Sequence, residues 1–297
     1  AELTSALAKP FYLTVVKMSK KKAYFETPPL DKYYRGPVEL AFMRSTWESP
    51  DALFIGIKAG YNEVNHAHLD LGNFELDALG VRWVSDMGSD HYNLPGYFNK
   101  DQRYQYYRTN SFSHNIPTVN GMNQSKTGRS RIQRFVSGEN ADNHNGIPLV
   151  EIDLSEAYES PITSIKRGAA LIENRRAALI QDDISLERPA DIDWGFTTRA
   201  DAEVTGSTVT LMKDDKKMKV KILSPKGATF SIESAEQSPP QMNNKGFRRV
   251  MIHLEQQSGP VRISVLFTPV WPEGEVTFIN SEISGCGNNI LLTQGMK

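Results

Sequence analysis

The sequence has almost no cysteine: Cys286 is the only one, so no disulfide can form within the chain. It contains no apolar run of the ~18–20 residues that a membrane-spanning helix needs. Lys and Arg total 34 and Asp and Glu total 35, so no global field attracts nucleic acid or a membrane surface. A polyanionic partner would therefore have to bind a local basic patch. The length of 297 residues is sufficient for a large core without covalent crosslinks.

The N-terminus lacks the order of a secretory signal peptide, which is a basic region, an apolar region and a small-residue cleavage site. It does not begin with Met either, so we expect a processed protein or part of a longer one. Residues 4–22 mix apolar and basic residues at partly helical spacing, and the proline-rich stretch "PPLDKYYRGP" follows. We predict a linker or helical remnant over residues 1–34 and one large domain over residues 35–297.

From residue 35 onward the chain consists of short alternating runs bounded by Gly, Pro, Asn or Asp, such as "ALFIGIKAG" and "VRWVSDMG". Runs of this kind, rich in Val, Ile, Thr and aromatic residues, are typical of strands. Without long helical patterns or internal repeats between them, they predict an all-β fold, a large antiparallel β-sandwich. Residues 91–115 differ, because they hold five tyrosines and alternate poorly. They predict a long, ordered loop with a function.

The stretch "NHAHLD" contains two of the six histidines of the chain. In a strand, His66, His68 and Asp70 would project from one face, and Ala67 and Leu69 would face the core. Imidazole suits both proton transfer near neutral pH and metal binding. The two histidines can equally be solvated strand residues, and Asp70 can be a hydrogen-bonding partner of a turn. The pair alone leaves both interpretations open.

Two later residues extend this set: Asp86 at the end of the next predicted strand, and His114 after the tyrosine-rich loop. Two histidines and an aspartate supply the nitrogen and oxygen donors of a zinc site. Their spacing matches no compact zinc signature. A hairpin with its turn at residues 79–80 would pair Asp86 with residues 71–73, about 10–17 Å from His68 at ~3.3 Å per residue. A metal site therefore requires a bend, a bulge or a longer turn.

The block "NHAHLDLGNFELDALGVRWVSDMGSDHY…YYRTNSFSHNIPTVNG" resembles a motif block in the C-terminal β domain of the heparinase II/III-like polysaccharide lyases. The resemblance extends over residues 35–270. It implies that His68, Asp86 and His114 bind a Zn²⁺ ion that organises the active cleft. It also implies that His66 borders this cleft.

The chemistry that the resemblance implies is β-elimination on a uronic-acid polysaccharide. The uronate carboxylate must be neutralised, a base must remove the C5 proton, and an acid must protonate the departing O4. His66 and Tyr92 are the candidate catalytic residues; Arg108, Tyr97 and Tyr104 are the candidate substrate-binding residues. Each tyrosine can instead be a packed loop aromatic. Arg108 can equally hold the loop through backbone carbonyls.

Enzymes of this family carry an N-terminal helical toroid that supplies part of the catalytic equipment, and residues 1–34 are too short to form one. We therefore expect the chain to be the C-terminal part of a longer enzyme, secreted to the periplasm or beyond, with an acidic polysaccharide as substrate. Heparin-like glycosaminoglycans and alginate both fit. The alternative is a non-catalytic carbohydrate-binding or interaction module that keeps the lyase fold.

The remaining histidines, His91, His144 and His253, match no motif, and His253 is most simply a sheet residue. The segment "GRSRIQRF" offers three arginines, which can form a small patch for an anionic sugar or a solvated face. Cys286 lies in a Gly-rich turn without an adjoining base, so we do not expect a thiol nucleophile.

Overall fold

The computed structural model describes residues 27–139, 146–274 and 276, and the backbone of residues 282–285 and 290–293. Nearly all regular structure in this part of the chain is β. The strands are β1 (Asp31–Tyr34), β2 (Val38–Arg44), β3 (Phe54–Gly60), β4 (Phe74–Ala78), β5 (Val81–Val84), β6 (Thr118–Val119), β7 (Arg131–Val136), β8 (Leu149–Asp153), β9 (Ile162–Ile172), β10 (Ala177–Thr198), β11 (Asp201–Thr205), β12 (Thr208–Lys213), β13 (Lys216–Ser224), β14 (Ser231–Ser234), β15 (Arg248–Pro269), β16 (Glu282–Gly285) and β17 (Ile290–Thr293). Three short 3-10 helices span Arg103–Gln105, Ser111–Ser113 and Ser155–Ala157.

Two antiparallel sheets carry the fold. The first has five strands in chain order, β1 to β5, and the second follows the order β11-β12-β13-β15-β10-β9-β8-β7, with β6 beside β10 and β14 beside β15. Strands β10 and β15 have 22 residues each and pair from Ala178↔Phe267 to Thr198↔Arg248, with irregular register between Leu186 and Ile192. The prediction of an all-β antiparallel sandwich is confirmed.

The core forms where the inner faces of both sheets meet. In β2 and β3 alternate residues are buried, as period-two alternation requires. One cluster of buried side chains joins the two sheets; it includes Ala41, Met43, Ile55, Ile57, Trp83, Ile165, Ile180, Trp194 and Ile263. A smaller cluster, which contains Leu149, Leu179 and Leu266, lies apart from it. The central strands of the large sheet are therefore buried over much of their length and give the loops beside them a rigid support.

The sheet extends further toward the N-terminus than the predicted boundary at residue 35. Asp31–Tyr34 forms the edge strand β1 rather than a linker, and it pairs with β2 from Asp31↔Met43 to Tyr34↔Leu40. The buried Asp31 carboxylate is held by both terminal nitrogens of Arg175, at 2.6 Å each. This ion pair fixes the strand to the body of the domain. Residues 1–26 lie outside the described residues, so the proposed helical remnant there remains a prediction.

In the described part of the chain, no helix has both the length and the apolar character to cross a membrane.

Candidate metal centre and adjoining cleft

Three side chains from distant parts of the sequence meet at one point. His68, Asp86 and His114 each offer a ligand atom, and these atoms all lie within 4.8 Å of one another. The Nδ1 atom of His114 is 2.7 Å from Oδ2 of Asp86, and the ring centroids of His68 and His114 are 5.2 Å apart. The structure thus brings together the three residues that were predicted as metal ligands.

The stretch around His68 is a loop, and the predicted strand is wrong. No strand lies between β3 and β4, and His66 adopts a left-handed backbone with φ of 60°. The hairpin turn at Leu79 and Gly80 is as expected, and Asp86 does reach the predicted position, since the Asn73 amide donates to its Oδ2 atom at 2.8 Å. The bend in the loop, rather than an extended strand, brings His68 to this point.

A fully buried cation ties two of the ligand-carrying segments together. The Nη1 atom of Arg167 donates to the carbonyl of Gly72, at 2.8 Å, and to that of Asn115, at 2.6 Å. Gly72 follows the His68 loop, and Asn115 is the neighbour of His114. The remaining nitrogens of Arg167 form a fork with Asp182, at 2.8 and 2.7 Å. Arg167 therefore fixes the spacing between the two histidine segments.

The electrostatics of the cluster suit a metal ion. Burial, aided by the nearby His114, lowers the pKa of His68 to about 4, so its imidazole is neutral at neutral pH. Burial alone would raise the pKa of Asp86, but the charge and hydrogen bond of His114 and the N–H of Gly88 lower it well below the usual range. A neutral imidazole and an ionised carboxylate are the protonation states that bind metal.

A buried polar atom without a partner also points to a ligand. The Nε2 atom of His114 is buried and has no hydrogen-bond partner in the described structure. Leaving a buried polar nitrogen unpaired costs about 1–3 kcal/mol, so such atoms are rare unless something else satisfies them. Two imidazoles and one carboxylate fit a tetrahedral zinc ion whose fourth position is open. The residues present therefore fit the implied ion.

The pKa of His68 predicts a pH dependence for the metal-free protein. An unfolded chain holds this pKa at its ordinary 6.5 and the folded protein at about 4, so the unfolded state binds more protons between these values. The free energy of unfolding should fall by about 3 kcal/mol as the pH drops from 6.5 to 4. Urea unfolding in EDTA measures this, and His68→Asn should flatten the curve. His253→Asn, at an exposed histidine, is the control; equal slopes for wild type and His68→Asn would refute the assignment.

The same loop also lines an open cleft. His66 is exposed, and its ring stacks on Tyr92 with centroids 5.8 Å apart and meets the edge of Phe98 at 5.7 Å. A cavity of about 470 Å³ is lined by His66, Phe98 and Tyr104. Burial raises the pKa of Tyr104, whose hydroxyl lies 3.5 Å from the carbonyl of Asn62. Of the candidate residues, His66 and Tyr104 line this cavity, and Tyr92 contacts it only through the stacked ring of His66.

Two other candidate substrate-binding residues make contacts within the protein. Tyr97 is only 1% exposed, and its hydroxyl accepts a hydrogen bond from the backbone N–H of Asp90. Arg108 donates to the carbonyls of Met87 and Ser89 and to the side chain of Asn244. Tyr97 is thus a core residue of the loop. Arg108 fits the alternative interpretation, in which it holds the loop through backbone carbonyls.

Sequence analysis missed Arg103, which is 6% exposed and lies beneath the cleft. Its three nitrogens donate to three backbone carbonyls, those of His66 at 3.0 Å, Ala67 at 2.9 Å and Tyr97 at 3.1 Å. The guanidinium also lies 4.5 Å from the centre of the Tyr97 ring. It connects the histidine loop to the tyrosine loop and holds the strained backbone of His66. Backbone carbonyls leave no pattern in the sequence, so no signal could have identified this role.

Replacing Arg103 with Lys should loosen His66 without removing the metal ligands. A single ammonium cannot reach three carbonyls in the geometry of a guanidinium fork. We expect the NMR signals of the His66 ring to lose the ring-current shift caused by Tyr92 and Phe98, while the metal content is unchanged. Arg129→Lys, at an exposed arginine that pairs with Glu63, is the matched control. An unshifted His66 signal in folded Arg103→Lys would contradict this role.

The other polar candidates make contacts of their own. Asp70 forms an ion pair with Lys58 at 2.5 Å, which fits its interpretation as a hydrogen-bonding partner. His253 is a sheet residue, as predicted, and contacts Asp193 and Glu233 at 2.7 and 2.9 Å. His91 is exposed. Residues 144 and 286 lie outside the described residues.

Comparison with known proteins identifies the family. Residues 43–268, more than half of the chain, match the family described as Heparinase II/III-like, C-terminal.

The chain belongs to this family.

Solved structures agree with this heparinase II/III-like fold. A heparinase III superposes with a TM-score of 0.65 at 17% sequence identity, over 88% of this chain and 38% of that one. The heparan sulfate lyase HepC from Pedobacter heparinus gives a TM-score of 0.66 at 16% identity, over 95% of this chain and 42% of that one. The chain therefore spans less than half the length of these enzymes. No curated protein matches the sequence.

Proposed function

We propose that this heparinase II/III-like domain is the C-terminal domain of a polysaccharide lyase that cleaves uronic-acid-containing polysaccharides by β-elimination. The observation that carries this proposal is the meeting of His68, Asp86 and His114 next to the loop residue His66, which lines the cleft. Family membership supports the reaction class. The close approach of His68, Asp86 and His114 supports a structural Zn²⁺ ion. The remainder of the enzyme, including a helical toroid, and its secretion to the periplasm or beyond belong to the same proposal.

His68, Asp86 and His114 would hold a zinc ion, whose fixed positive charge would keep the three side chains together. The proton transfers belong to the residues in front of it. The exposed imidazole of His66 can exchange a proton with a sugar, and the adjacent phenol of Tyr92 can serve as its acid or base partner. The exposed side chains of Asn65 and Lys100 line the same cavity and can hydrogen-bond to the uronate carboxylate, which makes the C5 proton more acidic.

A structural role for the ion suits this chemistry. Removal of a proton from carbon and departure of O4 do not consume water, so the ion need not activate one. Instead it would stiffen the His68 segment, two residues from His66. His68, Asp86 and His114 would hold the ion, which would keep the neighbouring His66 in position.

A second candidate function is a non-catalytic carbohydrate-binding module. The observation in its favour is the exposure of Tyr92, at 54%, and Phe98, at 60%. Flat aromatic rings in an open cleft can stack on a sugar without any proton transfer. Both functions involve the same polysaccharide ligand. They differ in whether its glycosidic bond is cleaved.

Elemental analysis tests the metal site first. Protein purified without added metal should hold close to one zinc ion per chain, and the double variant His68→Ala/Asp86→Ala should hold almost none. His253→Ala is the control, because His253 lies in a different ion-paired cluster. A folded, chelator-free wild type without zinc would count against a zinc-containing lyase domain.

The reaction is tested by the ultraviolet absorbance of the unsaturated product, with the chain alone and with the longest protein that its gene encodes. Product formation from a uronan by either form supports the lyase. Binding of uronan without product in both forms favours the binding module.

A further inference from the structure

A second cavity of about 380 Å³ adjoins the His66 cleft. Asn62 and Glu63 line the first cavity, and Tyr61 and Arg129 line the second. The carboxylate of Glu63 forms an ion pair with Arg129 at 3.3 Å across the boundary. Consecutive residues 61–63 and this ion pair therefore connect the linings of the two cavities.

One wall of the second cavity is aromatic and cationic. The guanidinium of Arg129 lies 4.9 Å from the centre of the Tyr61 ring, and Arg131 donates to the Tyr61 hydroxyl at 3.3 Å. Both arginines are exposed. The ion pair between Arg129 and Glu63 is exposed on both sides, so it is weak and can exchange for another anion.

The same cavity also offers hydrogen-bond acceptors, and Asp153 is the cross-strand partner of Arg131 in the pairing of β7 with β8. The carboxylate of Asp153 is positioned by Gln133, at 2.8 Å, and by Ser155, whose backbone N–H and hydroxyl both donate to it. Glu156 lines the same cavity and is exposed. Ionised carboxylates accept hydrogen bonds from hydroxyl groups. They also make the cavity unsuited to a ligand that carries only negative charge.

An acidic sugar matches this combination of groups. Its carboxylate or sulfate can be bound by an arginine fork, its hydroxyls can donate to Asp153 and Glu156, and its ring can lie against Tyr61. A neutral sugar would leave the arginines unused. A nucleic acid would place its phosphates against the two carboxylates.

We propose that the second cavity is a binding subsite for a further acidic sugar residue of the polysaccharide that occupies the His66 cleft. The inference rests on the proposed function. It also predicts how the polysaccharide lies on the protein: from Phe98, across residues 61–63, to Arg131. The three-arginine segment "GRSRIQRF" then contributes to substrate binding through two of its members, Arg129 and Arg131.

Isothermal titration with a glucuronate-containing octasaccharide tests this subsite. The double variant Arg129→Gln/Arg131→Gln should bind the octasaccharide about tenfold more weakly than the wild type, as expected for two lost charge-assisted contacts. Its urea midpoint and zinc content should not change, because both side chains are exposed.

The matched control is Arg82→Gln/Arg188→Gln, which removes two exposed, ion-paired arginines that line neither cavity. It should bind like the wild type. A neutral N-acetylglucosamine octamer should show no difference between any of the proteins.

Equal octasaccharide affinity in the groove variant and the control would overturn the subsite. If the wild type also forms unsaturated product, the proposed function survives that result. If the wild type neither binds the octasaccharide nor forms product in the longest protein that its gene encodes, both the subsite and the lyase proposal fail.

Discussion

Replacing Arg167 with Met should lower the free energy of unfolding by about 3–5 kcal/mol, because it leaves the carboxylate of Asp182 buried without a charge partner. Both side chains are completely buried. The indole N–H of Trp194 would remain as a donor to Asp182, at 2.7 Å, but a neutral donor does not offset a buried negative charge. Urea unfolding measures the change.

The surface of the same protein provides a geometric control. Arg82 forms a fork with Asp77 at 2.7 and 3.1 Å, close to the 2.8 and 2.7 Å of the buried pair. Arg82 is 46% exposed, however, so Arg82→Met should cost only about 0–1 kcal/mol. Equal effects of the two substitutions would mean that burial does not determine the strength of these pairs.

The same substitution should weaken metal binding. Without Arg167, the carbonyls of Gly72 and Asn115 lose their shared donor, and the segments of His68 and His114 can move apart. Loss of such outer contacts costs about 10–100-fold in metal affinity. The double variant Arg167→Met/Asp182→Leu should recover most of the stability, because no buried charge remains. It should not recover the metal affinity. Recovery of both would show that Arg167 affects the site only through global stability.

The sheets and the turn of the β4–β5 hairpin were predictable because local signals determine them. Alternation predicts strands such as Phe54–Gly60, and the Leu79-Gly80 pair, with φ of 57° and 71°, suits a tight turn. The strand spacing then predicted Asp86 beside residues 71–73. In the structure Asp86 accepts a hydrogen bond from Asn73.

The loop at His66 misled sequence analysis because its burial pattern imitates a strand. Ala67, Leu69 and Leu71 are all buried, as in a strand with one face in the core. They are held there by contacts from far along the chain: the Ser111 hydroxyl donates to the carbonyl of Leu69 at 2.8 Å, and Arg103 donates to that of Ala67. Alternation cannot distinguish this arrangement from a ladder of strand hydrogen bonds.

The candidate metal ligands were predicted from family resemblance and not from spacing. The distance calculated from the hairpin register placed His68 too far from Asp86 to share a metal ion. A metal site therefore required a bend that the sequence did not specify. The residues that create that bend, Arg103 and Arg167, bind backbone carbonyls, which every residue possesses. Such contacts have no signature in residue type or interval, so only the folded structure reveals them.

Replacing His66 with Asn should abolish most of the proposed lyase activity while the zinc ion stays bound. Loss of a positioned general acid or base lowers the rate by about 10²–10⁴-fold. Asn is the informative replacement because, more than most residues, it tolerates the left-handed backbone that His66 adopts, with φ of 60°. The variant therefore removes the imidazole without straining the loop that carries His68.

The activity should be measured on the longest protein that the gene encodes, with zinc content and the urea midpoint determined in parallel. His91→Asn is the matched control, since His91 is exposed in the neighbouring loop and does not line the cavity. If His66→Asn kept more than about a tenth of the wild-type rate, the imidazole would not transfer the proton. If the variant lost zinc as well as activity, the substitution would have disturbed the metal site through the loop that carries His68. The loss of rate would then not identify His66 as a catalytic residue. Retained zinc with lost activity is the result that separates the chemistry of His66 from the scaffold behind it.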